Sequence, residues 1–295
     1  MITDCKIVSL NSEDGIKENG TFLSKMKFDL PNLINPNNNV IYRQISLLNA
    51  QLPFSFYNVN YIYNKLVLTI GVSVYTITIP VGNYNSTNLF STLTAAILAA
   101  TTQTINFTIS NITGYITMTS TANFSISAAS TMNKILGFLE NTTYSSTLVG
   151  STYTLTSPFP LNLLGTKKLQ IRSTQLSMNN YSSNNGGLNT LLITIPVNAS
   201  PFGMIDYTSV SNSLISFSNS NLDELDIQIS DAEDNNLINF NNQHWTLTFA
   251  IYEYKEIIPS PQPTNNTTEL LKPIPIPQKP KQKTADENQL DFLSQ

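Results

Sequence analysis

The fold class is set most clearly by the stretch WTLTFAIY at residues 245–252. Large apolar side chains occupy its first, third, fifth and seventh positions, with Thr, Ala and Tyr between and after them. Because successive side chains of a β-strand point to opposite faces, this pattern predicts a strand with one buried face. Trp245 lies on that face, and we expect it in the core.

The same alternation recurs on both sides of a central region, which gives about seven or eight strands joined by long segments rich in Asn, Ser and Pro. No helices alternate with these strands, which excludes a parallel α/β sheet. The pattern is typical of a two-sheet sandwich or jelly roll. Besides the strand at Trp245, the alternating segments are Phe22–Leu30, Ile41–Leu47, Leu169–Ser173, Leu191–Val197, Leu214–Phe217 and Leu225–Ser230.

The central region differs, because Leu66–Asn133 contains no Asp, Glu, Lys or Arg. Asn85 or Ser86 can cap a helix there, since a short polar side chain accepts from the free N–H groups of the first turn. The order of elements is β-β-α-β-β, which predicts a small α+β subdomain. Its parts are strands Leu66–Ile70 and Val74–Ile79, a helix with the apolar stripe Leu89, Leu93, Ala96, Ile97 and Ala100, and strands Ile105–Ile109 and Tyr115–Thr119.

Together these patterns predict a mainly β protein with an interrupted jelly roll. The jelly roll comprises residues 1–60 and 152–256, and the α+β subdomain, residues 61–151, is inserted into it. Residues 257–295 are rich in proline, which lacks a backbone donor, so a flexible or polyproline-type tail is expected. The tail ends with apolar Leu290, Phe292 and Leu293, which form either a docking peptide or a solvated end.

The composition limits the classes of partner. Charged residues make up 12% of the 295 residues, and the net charge is −4. No basic patch is visible, so direct nucleic-acid binding is not expected. A polar but weakly charged surface suits packing against neighbouring proteins, although an AT-rich genome would produce the same composition.

Three features bear on location. The single cysteine, Cys5, excludes an internal disulfide, which fits a reducing compartment. No stretch reaches the roughly 18 apolar residues of a membrane span. The first ten residues carry Asp4 and Lys6 and do not resemble a signal peptide, so we expect synthesis in the cell interior and not secretion.

Residues with catalytic potential are few. The one histidine, His244, has no nucleophile motif to serve, and Cys5 lacks the surroundings of a reactive thiol. A zinc site needs several Cys and His ligands, whereas the chain has one of each. Gly186-Gly187 precedes a strand and not a helix, so it does not predict a phosphate loop. We therefore expect no enzyme and no cofactor.

An acidic run between Asp223 and Asp234 raises the question of calcium. It lacks the Asp-X-Asp-X-Asn-Gly order of a calcium loop and its distal glutamate. It alternates with apolar residues, as the wet face of a strand does. We expect solvated strand and loop here, and no catalytic, cofactor-binding or metal-binding residues anywhere in the chain.

Several motifs, in this order and spacing, resemble the penton (minor capsid, vertex) proteins of virophages and related Polinton-like and large DNA viruses. The resemblance covers about residues 20–255 and implies a single jelly roll, homopentamers at the vertices of an icosahedral virion, and contacts with the major capsid protein. It implies no catalytic residues. The motifs are Ile79–Tyr84 leading into Leu89 and Leu93, Ile135–Phe138, Tyr153–Pro160 followed by Leu169–Ser173, and Leu237–Phe240 followed by His244–Leu247.

The main alternative is a jelly-roll module that binds carbohydrate or a receptor, such as a viral fibre head. Tyr57, Tyr61 and Tyr63 are its candidate contact residues, because an exposed aromatic-rich loop suits sugar recognition. A host surface receptor or glycan bound through the inserted subdomain is also compatible with a capsid role.

Overall fold

Antiparallel strands dominate the protein. The computed structural model describes residues 2–34, 40–176, 180–181, 188–210, 214–218 and 222–255. The helix α1 spans Ser86–Thr101. The strands are β1 Ile2–Asn11, β2 Ile16–Lys17, β3 Lys25–Ile34, β4 Val40–Pro53, β5 Lys65–Ile70, β6 Ser73–Thr78, β7 Asn106–Ile109, β8 Tyr115–Ser120, β9 Phe124–Ile126, β10 Tyr144–Ser145, β11 Thr147–Val149, β12 Thr152–Pro160, β13 Lys168–Arg172, β14 Asn180–Tyr181, β15 Leu188–Asn189, β16 Leu191–Pro196, β17 Met204–Thr208, β18 Ile215–Phe217, β19 Leu222–Asp231 and β20 Thr246–Lys255.

Eight main strands form the two sheets of a jelly roll. One sheet has the order β1-β20-β4-β17, with β18 also on β4, and the other has the order β16-β13-β19-β3-β2. The first main strand pairs with the last (β1 with β20), the second with the seventh (β3 with β19), the third with the sixth (β4 with β17) and the fourth with the fifth (β13 with β16). This nested pairing is a long hairpin wrapped into two sheets, so the predicted fold class is confirmed.

Trp245 lies in the core between the two sheets, as its position in the alternating pattern predicts. It is fully buried, its Nε1 donates to the Leu23 carbonyl at 2.8 Å, and its ring meets Phe28 edge-on at 5.9 Å. An indole placed this way satisfies its one donor and still fills apolar space.

Three details of the jelly roll differ from the sequence prediction. The N-terminal segment is a ten-residue strand, β1, which the mixed sequence concealed although Val8 and Leu10 are buried. Phe22 is exposed, because the chain turns there and β3 begins only at Lys25. The alternation places Arg172 on the face opposite Leu169 and Ile171, yet Arg172 is also buried, because the connection after β19 covers it and Asn235 accepts from its Nη2 at 2.9 Å.

The region between β4 and β13 has its own sheets and its own hydrophobic cluster. The strand orders are β10-β9-β5-β6 and β11-β12-β8-β7, and α1 packs beside β6 and β7. Asn85 caps α1 through its Oδ1, which accepts from the Asn88 N–H at 2.8 Å. The predicted apolar stripe is buried at Leu89, Leu93 and Ile97. Among the described residues no helix is long and apolar enough to cross a membrane.

The sequence prediction ends the inserted subdomain at residue 151 and resumes the jelly roll at residue 152. β12, Thr152–Pro160, pairs with β8 of the inserted region and not with a jelly-roll strand. Gly137, at φ +76°, lies so close to Phe159 that a Cβ there would stand 2.1 Å from the Phe159 oxygen. We therefore propose an inserted subdomain that extends to Pro160; the predicted tail, residues 257–295, lies outside the described residues.

Candidate functional site: an aromatic pocket beside the inserted subdomain

A pocket of about 120 Å³ lies where the segment leaving β4 meets the connection between β19 and β20. Its lining includes Phe56 and the three tyrosines of the sequence prediction, together with acidic and amide side chains from residues 231–241. The structure thus brings Tyr57, Tyr61 and Tyr63 to one place.

The tyrosine segment is held by a turn. The Oδ1 atom of Asn60 accepts hydrogen bonds from the backbone N–H groups of Ile62 and Tyr63 at 2.9 and 3.1 Å. Asparagine favours such turns because its short side chain reaches the backbone two residues ahead. The turn leaves Tyr61 64% exposed at the pocket mouth, while Tyr63 points inward.

Tyr63 and Lys134 connect this side of the pocket to the jelly roll. The Tyr63 hydroxyl donates to Asp234 Oδ2 at 2.5 Å, and Lys134 Nζ lies 5.8 Å from the centre of the Tyr63 ring. Lys134 also forms an ion pair of 3.2 Å with Glu233, and Lys167 pairs with the same carboxylate at 3.5 Å. We call these five residues the junction cluster.

The junction cluster shifts the pKa values of its members. Burial raises the pKa of Tyr63 well above its usual value, and the hydrogen bond to Asp234 adds to the effect. Burial acts to raise the pKa of Asp234, but the hydrogen bonds from Tyr63 and Asn236 outweigh it, so the pKa falls. The pKa of Glu233 is likewise lowered, because Lys134 and Lys167 outweigh burial. Both carboxylates are therefore held ionised.

The rest of the acidic run is structural. Asp226 is buried, contrary to the expected wet face, and its carboxylate accepts from Ser173 Oγ at 2.8 Å, Thr174 Oγ1 at 2.6 Å and the Gln175 N–H at 3.0 Å. These bonds outweigh burial and lower the pKa of Asp226. In the described part of the chain no group of three or more His, Cys, Asp or Glu could hold a metal ion.

The remaining candidates from the sequence do not assemble into a site. His244 Nδ1 lies within hydrogen-bond distance of Ser12 Oγ, at 3.1 Å. The same Ser12 oxygen accepts from the Trp245 N–H, so His244 and Ser12 together stabilise the start of β20. Cys5 is exposed and lies opposite Tyr252, far along β1 from Ser12. Cys5 and His244 therefore lie near opposite ends of β1 and do not form a catalytic pair. Gly186-Gly187 lies outside the described residues.

Comparisons with known proteins give a likeness in structure. No family model and no curated protein matches the sequence. The selenomethionine-labelled mavirus penton protein is similar, with a TM-score of 0.46 and 10% identity over 84% of this chain and 100% of that chain. A chain of the Sputnik virophage, from a 3.5 Å cryo-electron microscopy structure, is similar with a TM-score of 0.42 and 14% identity over 85% of this chain and 98% of that chain. The chain is thus similar, over most of its length, to a penton protein and to a chain of a virophage particle.

Proposed function

We propose that the protein is a structural component of an icosahedral virion and forms homopentamers at the vertices, in contact with the major capsid protein. Its role is assembly and not catalysis. The observation that carries the proposal is a pair of different apolar flanks at the two edges of one jelly-roll sheet.

The first flank is β1, the edge strand of the sheet β1-β20-β4-β17. Within the described residues β1 pairs with β20 alone, and its outward side chains include Ile7, which is 61% exposed. An edge strand with free backbone groups and an exposed apolar side chain is a surface that proteins normally cover.

The second flank is the opposite edge, at β17. Phe202 and Met204 lie there, 75% and 49% exposed. Burying large apolar side chains contributes about 1.5–3 kcal/mol each when the burial is complete. Since few charges need to be desolvated on this protein, such a contact retains most of that gain.

Two unlike flanks favour a ring. A closed cyclic assembly needs heterologous contacts, in which one face of a subunit meets a different face of the next. Edges on opposite sides of one sheet supply such a pair. The number five comes from the resemblance of the sequence motifs to penton proteins.

The proposal is tested by variants of each flank. We expect Ile7→Lys and Phe202→Lys each to abolish ring formation when the protein is co-expressed with the major capsid protein and the complexes are weighed by native mass spectrometry. When the two variants are mixed, the intact β17 flank of Ile7→Lys can still bind the intact β1 flank of Phe202→Lys. Both remaining flanks of that pair are disrupted, so assembly should stop at dimers. Val72→Lys is the control, because Val72 is fully exposed on the β5–β6 turn and belongs to neither flank.

Rings that survive both flank variants, or dimers formed by one flank variant alone, would contradict the heterologous contact.

A further inference from the structure

We propose that the aromatic pocket binds a single neutral sugar residue, such as the terminal residue of a glycan. This role is separate from capsid assembly, since neither Ile7, Phe202 nor Met204 lines the pocket.

The base and mouth of the pocket suit the C–H faces of a sugar ring. Phe56, Ile135 and Ile238 are buried and form an apolar base. Tyr61 stands at the mouth with most of its ring exposed, where it can stack on a ligand. Tyrosine combines a flat apolar face with a polar hydroxyl. These match the apolar C–H groups on the face of a sugar ring and the hydroxyl groups around its edge.

The rim offers hydrogen-bonding groups that the fold does not use. The hydroxyl groups of Tyr57 and Tyr61 have no hydrogen-bond partner among the described residues. Asn60 uses its Oδ1 in the turn, so its Nδ2 remains available as a donor. Together these groups can donate to and accept from sugar hydroxyls.

The charges of the pocket select against anionic sugars. Three carboxylates line it, those of Asp231, Glu233 and Asp234, against the one ammonium group of Lys134. That ammonium is already paired with Glu233. A sialic acid would place a fourth carboxylate beside three others, which is unfavourable, whereas a neutral hexose would meet acceptors for its hydroxyl groups.

The pocket is small and its walls are fixed. With about 120 Å³ of open space the pocket is too small to enclose a whole ligand, so it admits part of one sugar ring and leaves the rest of a glycan in solvent. The Asn236 N–H donates to Asp234 Oδ1 at 3.0 Å, and the Asn241 N–H donates to Asn239 Oδ1 at 2.9 Å. The Asn241 side chain donates to the Ser55 carbonyl. A site fixed in this way loses little entropy on binding.

The test is saturation-transfer NMR on the full chain with five probes: D-galactose, D-mannose, L-fucose, N-acetyl-D-glucosamine and N-acetylneuraminic acid. We expect transfer to at least one neutral sugar and none to N-acetylneuraminic acid. Tyr61→Ala removes the stacking face and should weaken binding about tenfold in a titration. Tyr57→Phe removes only a hydroxyl and should have a smaller effect in the same direction.

Tyr115→Ala is the control, because Tyr115 is a partly exposed tyrosine outside the pocket. Transfer to no neutral sugar, transfer to N-acetylneuraminic acid alone, or equal affinity in wild type and Tyr61→Ala would each overturn the proposal.

Discussion

The jelly roll and the inserted subdomain each have a hydrophobic core, but they differ in the polar side chains that they bury. The jelly roll buries ionisable groups, among them Asp226 and the pair Arg43–Glu253. The buried polar side chains of the subdomain are Ser, Thr and Asn, without one ionisable residue among those described. The stability of the jelly roll should therefore depend more strongly on charge and pH. That of the subdomain should depend mainly on packing and on hydrogen bonds between neutral groups, with Tyr63 and Lys134 of the junction cluster as its charge-dependent contacts.

Breaking the buried pair should have the largest effect. Arg43 Nε lies 2.9 Å from Glu253 Oε1, and the two side chains are 8% and 7% exposed. Arg43→Met leaves the Glu253 carboxylate buried without that partner and should cost about 3–5 kcal/mol of unfolding free energy in urea titrations. The double variant Arg43→Met, Glu253→Leu is the control and should regain most of the loss. A single variant as stable as wild type would show that the pair is unimportant.

A core truncation in the subdomain should cost slightly less and act locally. Leu93→Ala removes a fully buried side chain of α1 and should cost about 2–5 kcal/mol. The far-UV circular dichroism of α1, the one helix among the described residues, follows the subdomain, and fluorescence of the sole tryptophan, Trp245, follows the jelly roll. We expect the helix signal to melt earlier while the tryptophan transition stays in place. An equal shift of both would indicate one cooperative unit.

Acid should separate the two regions further. Asp226, Glu233 and Asp234 have lowered pKa values, so their stabilisation is present above their unfolded values of about 4 and is lost as pH falls below about 4, through the lower folded values. The Trp245 transition should stay nearly constant between pH 7 and about pH 5 and move to lower temperature as the pH falls from there to about 3. The α1 transition should move less. Asp226→Asn should lower the melting temperature at pH 7 and flatten its pH dependence; an unchanged slope would contradict the role given to Asp226.

The smallest effect is expected from a buried hydroxyl of the subdomain. Ser157 Oγ accepts from the Ile116 N–H at 2.9 Å and donates to the Phe159 carbonyl at 2.8 Å. Ser157→Ala leaves a buried donor without its acceptor and should cost about 1–3 kcal/mol, independent of pH. Thr156→Ala is the neighbouring control, because Thr156 is exposed. A pH-dependent loss in Ser157→Ala would break the contrast between the regions.

Local patterns predicted the strands well where large apolar residues alternate strictly in the sequence, as at Trp245, Leu247, Phe249 and Ile251. They failed where a distant segment changes the surroundings, as at Arg172, which a connection more than sixty residues away covers. They also missed β1, whose apolar positions are interrupted by Asp4 and Lys6. Such contacts depend on tertiary packing, which overrides local preference.

The sequence predicted the tyrosines of the pocket but not the charged residues that pack against them. An exposed aromatic segment marked Tyr57, Tyr61 and Tyr63 in the sequence. Nothing in the sequence linked Tyr63 to Asp234, which is 171 positions away and comes from the connection between β19 and β20. Only the jelly-roll pairing brings the two segments together, so the junction cluster required the structure.

The central claim, that the protein occupies the vertices of a virion, is tested most directly by locating it. Virus particles carrying this protein with a bound gold-labelled antibody fragment can be imaged by cryo-electron microscopy without imposed symmetry. The account predicts label at the fivefold vertices, with up to five copies around each. Label on the flat facets, or particles without label, would contradict it.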